Sequence, residues 1–355
     1  MRILYNSFDG RYSDSPRAVF ERLAGVDGID NVWLVDEEHA DGFPNDARTV
    51  DIGSTEARTA LESADVVLAN SHTEVEWTKG PVTTYLQTWH GTPLKRIHRD
   101  VLWAPEGRLD RLDHDVAKWD VLVSPNREST PRLRSGFRYD GEVLEIGYPR
   151  NDVLLAPDRD EQRDRVRDRL GLQPGSTVVL YAPTWRDDEK FSDGSPQVEL
   201  GLDVGGLLEE LGPDTCVLVR THPLMTGRSI PPGLPGVVDV SYYPDVRDLY
   251  LAADVLVTDY SSTMFDFAVT GRPIVLHTYD FERFRDEVRG FYFDLVEAAP
   301  GPIARTTDEV AAALSDLPGL QKRSSDRYAE FKSRFCSLED GHATDRLLAR
   351  LGIVA

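Results

Sequence analysis

Cysteine is almost absent from this sequence, which contains only Cys216 and Cys336. Cys216 lies in an apolar run typical of a strand, and Cys336 follows Phe335 near the C-terminus. Disulfide frameworks and structural zinc sites both need several clustered ligands or cysteines. Two isolated cysteines therefore argue against either kind of stabilisation.

Long hydrophobic runs are also missing. No apolar stretch approaches the roughly 20 residues that a membrane-spanning helix needs. Residues 1–6 read directly as a strand and lack the apolar core of a signal peptide. We therefore expect a cytoplasmic protein, and the sequence leaves peripheral contact with the inner face of the cell membrane open.

Positive charge is in short supply, because 40 Lys and Arg stand against 61 Asp and Glu, a formal net charge of −21. This balance argues against bulk electrostatic attraction to nucleic acid or to anionic lipid. It remains compatible with a local basic groove for a phosphorylated ligand.

Several common site motifs are lacking too. The sequence has no glycine-rich dinucleotide fingerprint, no P-loop and no Gly-x-Ser-x-Gly nucleophile elbow. The carboxylate pairs at 187–188 and 339–340 are more typical of solvated surfaces than of metal sites. We therefore expect neither a cofactor nor a resident metal.

What the sequence does contain is a regular alternation of short apolar runs with amphipathic segments. Such runs predict strands of buried parallel sheets, and helical spacing predicts the helices between them. The predicted strands lie at 3–5, 32–35, 66–69, 83–86, 121–124, 178–182, 216–220, 237–240, 255–258 and 273–277. Helices are predicted at 16–23, 55–63 and 158–170, and the tail at 324–351 is predicted to be helical.

These two strand–helix series are joined by a hinge-like segment at 147–153. They predict an α/β protein with two doubly wound, Rossmann-like domains that face each other across a cleft. We place one domain at 1–150, a second domain at 151–335, and a helix at 336–355 that packs back on the first domain. Ligands of such sheets bind at the C-terminal ends of the strands, so the cleft should hold the site.

A histidine stands at the end of one predicted strand in each domain. His90 follows the run at 83–89, and the bend at Gly91 and Pro93 presents it together with Lys95. A histidine at a strand end can equally satisfy a backbone carbonyl, and position alone does not separate the two roles. In the functional role, neutral His90 would act as a general base, with Asp9 or Asp14 orienting it.

His222 lies between Arg220 and Pro223 after another strand. Arginine suits bidentate contact with phosphate, and a protonated histidine stabilises developing negative charge. Arg186, at the exit of the preceding strand, could reach the same anion. An arginine on a loop is more often solvated, so Arg186 alone carries little weight.

A cluster of hydroxyl and carboxylate side chains follows the strand at 255–258. These side chains can form an ordinary helix N-cap. A helix N-terminus with hydroxyl groups can also bind phosphate. Asp266 is placed one turn into the helix, where it could accept hydrogen bonds from a ribose. The candidate substrate contacts here are Thr258, Asp259, Ser261, Ser262, Thr263 and Asp266.

These motifs, in this order, make the sequence resemble the CDP-glycerol glycerophosphotransferase family over nearly its whole length. The resemblance rests on residues 7–16, 87–95, 147–152, 182–187, 220–223, 258–267 and 339–346. Ser15 stands where the family usually has Asn. In size the chain is closer to the family's single-module primases than to its long polymerases.

The resemblance implies a GT-B-like fold and metal-independent transfer of a polyol phosphate from a CDP-linked alcohol. It assigns His90 as the base and His222 as the group that stabilises departing CMP. Ser261 and Ser262 would hold the pyrophosphate. The resemblance also makes the domain at 1–150 the acceptor side and the domain at 151–335 the CDP-donor-binding side. We assign Asp14, Thr92 and Lys95 to the acceptor side.

The expected activity is transfer of glycerol phosphate, or of a related polyol phosphate, in the synthesis of a teichoic-acid-like wall or capsule polymer. The acceptor would be a lipid-linked saccharide or a polyol phosphate, and nucleic acid is not expected as a partner. Two alternatives stay open: a nucleotide-sugar glycosyltransferase with a GT-B fold, and a non-catalytic nucleotide-binding module.

Overall fold

The computed structural model describes residues 1–104, 106–184, 200–221 and 233–353. In these residues the chain forms two parallel sheets, one from each half of the sequence. Apolar runs without alternation favour such sheets, because helices cover both faces. The predicted α/β class with two doubly wound sheets is confirmed.

The first sheet has seven strands in the order β3-β2-β1-β4-β5-β6-β7. The strands are β1 (Arg2–Asn6), β2 (Asp30–Val35), β3 (Thr49–Asp51), β4 (Val66–Ala69), β5 (Thr84–Gln87), β6 (Val121–Ser124) and β7 (Glu142–Glu145). The helices that follow them are α1 (Asp14–Leu23), α2 (Thr55–Glu62), α3 (Arg108–Val116) and α4 (Thr130–Phe137), with short 3₁₀ turns at Glu37–Gly42 and His98–Asp100.

The second sheet has six strands in the order β10-β9-β8-β11-β12-β13. They are β8 (Thr177–Ala182), β9 (Thr215–Val219), β10 (Val237–Asp239), β11 (Val255–Thr258), β12 (Ile274–His277) and β13 (Ile303–Ala304). The helices in the second half of the chain are α5 (Arg159–Arg169), α6 (Val204–Leu211), α7 (Val246–Ala252), α8 (Thr263–Val269), α9 (Phe281–Arg283), α10 (Leu295–Ala298), α11 (Thr307–Leu314), α12 (Leu317–Phe335) and α13 (Ala343–Arg350). A π-helical turn, Phe284–Val288, follows α9.

Both sheets reverse their strand order at one point, between β1 and β4 in the first and between β8 and β11 in the second. A crevice opens at such a switch point, beyond the C-terminal ends of the strands. The loops that leave β1, β4, β5, β8, β9 and β11 therefore build the walls of the cleft.

Three strands that were not predicted from the sequence, β3, β7 and β13, lie at sheet edges. Their residues are half-exposed or exposed for the most part, unlike the fully buried β4, β6 and β11. An edge strand needs no continuous apolar run, so its sequence carries little of the pattern that reveals a central strand.

The predicted hinge is a packed 3₁₀ helix, Pro149–Leu155, in which Pro149, Arg150, Asn151 and Leu154 are buried. The tail that was predicted to be helical at 324–351 consists of two helices, because α12 ends at Phe335 and α13 begins at Ala343. Gly341 adopts a left-handed backbone (φ +86°) in the connection. Leu347 and Leu348 of α13 then pack with Ile3 and Tyr5 of the first sheet.

Among the described residues, no helix combines the length and the apolar character that crossing a bilayer requires.

Candidate active site

A cleft of about 620 Å³ lies between the C-terminal ends of the two sheets. The buried junction helix contributes Arg150 to its floor. Its walls include Asp9, Arg11, Asp14, His90 and Lys95 from the first half of the chain, and Arg220, Ser261, Ser262, Thr263 and Asp266 from the second. Side chains predicted from distant parts of the sequence thus meet in one place.

His90 lies half-buried in the cleft wall after β5, and a backbone carbonyl fixes its ring. Its Nδ1 is 2.6 Å from the carbonyl oxygen of Asn70, at the end of the neighbouring strand β4. A carbonyl can only accept, so Nδ1 carries the proton and the neutral ring keeps its lone pair on Nε2. The expected orienting partner, Asp9 or Asp14, was wrong: the backbone of Asn70 takes that position.

Burial keeps the His90 ring neutral. It lowers the pKa of His90 from 6.5 to about 4, although the hydrogen bond to Asn70 and the charge of Asp14 favour the protonated ring. Trp89 packs against it at 4.0 Å between ring centroids, with the rings tilted by 31°, and has a left-handed backbone conformation (φ 55°). The side chain is therefore ready to accept a proton at neutral pH.

Gly91 allows the His90 loop to lie close to Ser262 in the second half of the chain. A Cβ atom added at Gly91 would lie 2.5 Å from Oγ of Ser262. Only glycine allows this spacing, so the base stands directly opposite the hydroxyl-rich loop before α8.

The first residues of that loop are buried, and the next residues line the cleft. Thr258 donates to the carbonyl of Ala182 at 2.6 Å, and Asp259 accepts from the backbone N–H groups of Thr184 and Tyr260 at 2.8 and 2.6 Å. Both side chains are buried and shape the loop. The cleft is lined instead by the next hydroxyl residues, Ser261, Ser262 and Thr263.

Asp266 lies at the cleft floor in a buried ion pair. Its carboxylate accepts from Nη2 of Arg150 at 2.9 and 3.0 Å and from Nδ2 of Asn151 at 3.0 Å. Nη1 of Arg150 donates to Asp14 at 3.0 Å. Asp14 and Asp266 thus face the same buried guanidinium, and their contacts with acceptor and ribose stay predictions.

The remaining predicted residues take different places. Lys95 lines the cleft, whereas Thr92 is buried and is not among the cleft residues. Arg220 lines the cleft and donates through Nη1 to the carbonyls of Val240 and Tyr243 at 3.1 and 2.8 Å. Arg186 and His222 lie outside the described residues.

Sequence reasoning gave no role to three residues of the site, Arg11, Asn70 and Arg150. Arg11 and Arg150 lie inside the family-like segments 7–16 and 147–152, and Arg11 also follows the predicted strand at 3–5, so a charged side chain in each segment was an available signal. Asn70 directly follows a fully buried strand. Its contribution is a backbone carbonyl, which no side-chain pattern reveals.

The chain is similar to known proteins over nearly its whole length. Residues 1–352 match the sequence model of the family described as CDP-Glycerol:Poly(glycerophosphate) glycerophosphotransferase. The chain is 38% identical to the teichoic acid glycerol-phosphate transferase of Staphylococcus aureus, over 97% of this chain and 91% of that protein. It is also 38% identical to the teichoic acid poly(glycerol phosphate) polymerase of Staphylococcus epidermidis, over 96% of this chain.

The chain spans about half, 49%, of that polymerase's length. Among solved structures, the wall teichoic acid polymerase TagF superposes with a TM-score of 0.90 at 37% identity, covering 99% of this chain and 88% of that chain. The predicted GT-B-like arrangement is confirmed by this superposition.

Proposed function

Because the chain belongs to the CDP-Glycerol:Poly(glycerophosphate) glycerophosphotransferase family, we propose that it transfers glycerol phosphate from CDP-glycerol to an acceptor hydroxyl. CMP is the second product. By analogy with the similar transferase and polymerase, the product belongs to a teichoic-acid-like polymer.

His90 removes the proton of the acceptor hydroxyl through Nε2. The oxygen attacks the β-phosphorus of the donor, the bond from that phosphorus to the oxygen bridging it to CMP breaks, and the electron pair leaves with CMP. The proton remains on His90 until it exchanges with solvent. Positioning and charge stabilisation supply most of the acceleration in such a reaction.

The hydroxyl groups of Ser261, Ser262 and Thr263 line the opposite wall, where they can donate to the diphosphate. We assign stabilisation of the departing CMP to His222, with Arg220 and Arg186 as further phosphate contacts. We further propose that these side chains replace a metal ion, so that transfer persists in EDTA.

The observation that carries the proposal is the hydrogen bond from Nδ1 of His90 to Asn70. It fixes one tautomer of a neutral imidazole, opposite a hydroxyl-rich loop, in a cleft between two domains. A histidine that only satisfied a carbonyl would not need the close approach of Gly91 to Ser262.

The test is release of CMP from CDP-glycerol with and without acceptor. His90→Ala should lower kcat by roughly 10²–10⁴-fold, the usual contribution of a general base. His342→Ala is the matched control, because that histidine is 68% exposed in its side chain and lies on the tail. Undiminished turnover of His90→Ala would show that His90 is not the general base. Preference for a UDP- or GDP-sugar as donor would favour the glycosyltransferase alternative.

We also propose that the acceptor is lipid-linked and reaches the cleft from a membrane surface. Leu102 and Trp103 are 50% and 78% exposed, and Leu102 lies beside Gly290, next to the cleft residue Arg289. Tryptophan favours the interface between lipid and water. Trp103→Ser should reduce sedimentation with vesicles of phosphatidylglycerol and phosphatidylcholine, whereas Val82→Ser, at another exposed apolar residue, should not.

A further inference from the structure

Arg11 is a cation in the cleft wall that has no partner within the described residues. It follows β1, and the loop is held in place by backbone hydrogen bonds from Arg11 to Ser7 at 2.8 Å and from Asp36 to Gly10 at 3.1 Å. A Cβ at Gly10 would lie 2.2 Å from the backbone nitrogen of Asp36, so the turn packs closely against the end of β2. The position of Arg11 is therefore set by the backbone.

The guanidinium of Arg11 makes no hydrogen bond or ion pair in the part of the chain that the structure describes, and its Nε is buried without an acceptor. Burial lowers the pKa of Arg11, and Asp36, Asp9 and Glu38 oppose this from a distance. Burying a cation without a hydrogen-bonded partner is costly. A side chain held at this cost next to a substrate cleft indicates that its partner is a ligand.

A second arginine lines the same cleft from the other half of the chain. Arg220 follows β9 and is anchored by the two carbonyls that its Nη1 contacts. Its guanidinium has no carboxylate partner among the described residues. Burial lowers the pKa of Arg220, Tyr250 and Asp245 oppose this, and the charge of Arg11 lowers it, because the two cations lie near one another.

The nearest carboxylate favours the Arg220 cation from a distance but makes no ion pair with it among the described residues. Asp245, which also lines the cleft, is engaged by Arg17 at 3.2 Å and by Arg247 at 2.9 Å. Two guanidinium groups with free donors, one from each sheet, need an anion between them. Planar, forked donors match the oxygens of a phosphoryl group, and both arginines line the same cleft.

We propose that Arg11 and Arg220 together bind one phosphoryl group of a substrate, and so connect the two domains through the ligand. This inference rests on the proposed function for the origin of that group, which is either the donor diphosphate or a phosphate of the acceptor. In both cases Arg11 binds substrate from the domain that carries His90, and thereby sets the distance between base and phosphorus.

The experiment compares the wild type with Arg11→Met, Arg11→Lys and, as a matched control, Arg323→Met on the exposed face of α12. Calorimetric titrations use CDP as the donor probe and sn-glycerol 3-phosphate as the acceptor probe. Arg11→Met should weaken one of these ligands by about 10- to 100-fold, the range for losing a hydrogen bond to a charged group. The probe whose Kd rises identifies the source of the phosphoryl group. The Kd of Arg11→Lys for that probe should lie between those of the wild type and Arg11→Met. Arg323→Met should bind both probes as the wild type does.

The Arg11→Met variant is expected to fold. Removing a half-buried cation that has no partner among the described residues should leave the Tm of the ligand-free protein unchanged or raise it, while the rise in Tm on adding ligand becomes smaller. The proposal is overturned if a folded Arg11→Met binds both probes within twofold of the wild type, or if the wild type binds neither. Wild-type protein that binds CDP through Arg11 but releases no CMP from CDP-glycerol would instead overturn the proposed function alone.

Discussion

Arg150 and Asp266 form a buried ion pair at the floor of the cleft, with Nη2 of the arginine 2.9 Å from Oδ2 of the carboxylate. The arginine comes from the junction helix and Asp266 from α8 of the second half. The other arm of the same guanidinium reaches Asp14, at the start of α1. One side chain thus ties the junction to both halves.

Arg150→Met should therefore destabilise the protein strongly. Removing one partner of a buried ion pair leaves the other charge unpaired and costs about 3–5 kcal/mol, and here two carboxylates lose their partner. Urea titration of the free energy of unfolding measures this. Arg305→Met, which breaks an exposed pair with Glu282, should give no measurable change. Equal stability of the two variants would mean that the junction does not depend on Arg150.

The pH dependence of catalysis should reflect the burial of His90. Its pKa is lowered to about 4, so the base is neutral at pH 5 and above and becomes protonated as the pH falls through about 4. We expect kcat/KM for CMP release to stay level from pH 7 to 5 on account of His90, and to fall only near pH 4. Profiles of kcat/KM, with circular dichroism to confirm folding at each pH, measure this. An acid limb centred near 6.5, the value of an unburied histidine, would contradict the assignment.

The sequence predicts structural features that depend on local composition, but not contacts between residues that are far apart in the chain. Central strands such as β4 and β11 are buried on both faces, so their composition reveals them. The loops that follow β5 and β11 are then placed at the C-terminal edges of their sheets, which brings His90 and Ser261 to the same cleft. The carbonyl of Asn70 and the carboxylates around Arg150 come from residues 20 to more than 100 positions away. Such pairings depend on sheet order and domain packing, which local patterns do not contain.

Gly91 should be intolerant of a side chain for a reason specific to catalysis. The added methyl group of Gly91→Ala would lie 2.5 Å from Oγ and 2.8 Å from Cβ of Ser262, so the His90 loop must move away from α8. A displacement of about 1 Å at a reacting centre can cost roughly 10²-fold in rate. We expect a loss of this order in kcat.

The control for this variant is Gly205→Ala, where the nearest atom would lie at an ordinary 3.5 Å. Gly91→Ala combined with Ser262→Gly should recover part of the lost rate, since the second change removes both crowded atoms. Full activity of Gly91→Ala would show that the two loops do not need this spacing.

Glu339 should make the stability of the protein pH-dependent through the tail connection. Its Oε1 accepts from the backbone N–H of Tyr148 at 3.1 Å, and Oε2 is buried without a partner. Burial, helped by the charge of Asp266, raises the pKa of Glu339 from 4.5 to about 8. Between these two values the folded protein holds a proton that the unfolded chain has lost, so the stability contributed by this group falls as the pH rises through that window.

Glu339→Gln keeps the acceptor for Tyr148 and removes the titration. The variant should match the wild type near pH 4.5 and should have a progressively higher Tm up to pH 8, because it avoids the penalty of ionising a buried carboxyl group. Thermal denaturation at several pH values measures this difference, with Glu330→Gln on the exposed face of α12 as the control. A difference in Tm that does not change between pH 4.5 and 8 would show that Glu339 is ionised in the folded protein throughout, and that the junction stabilises its charge.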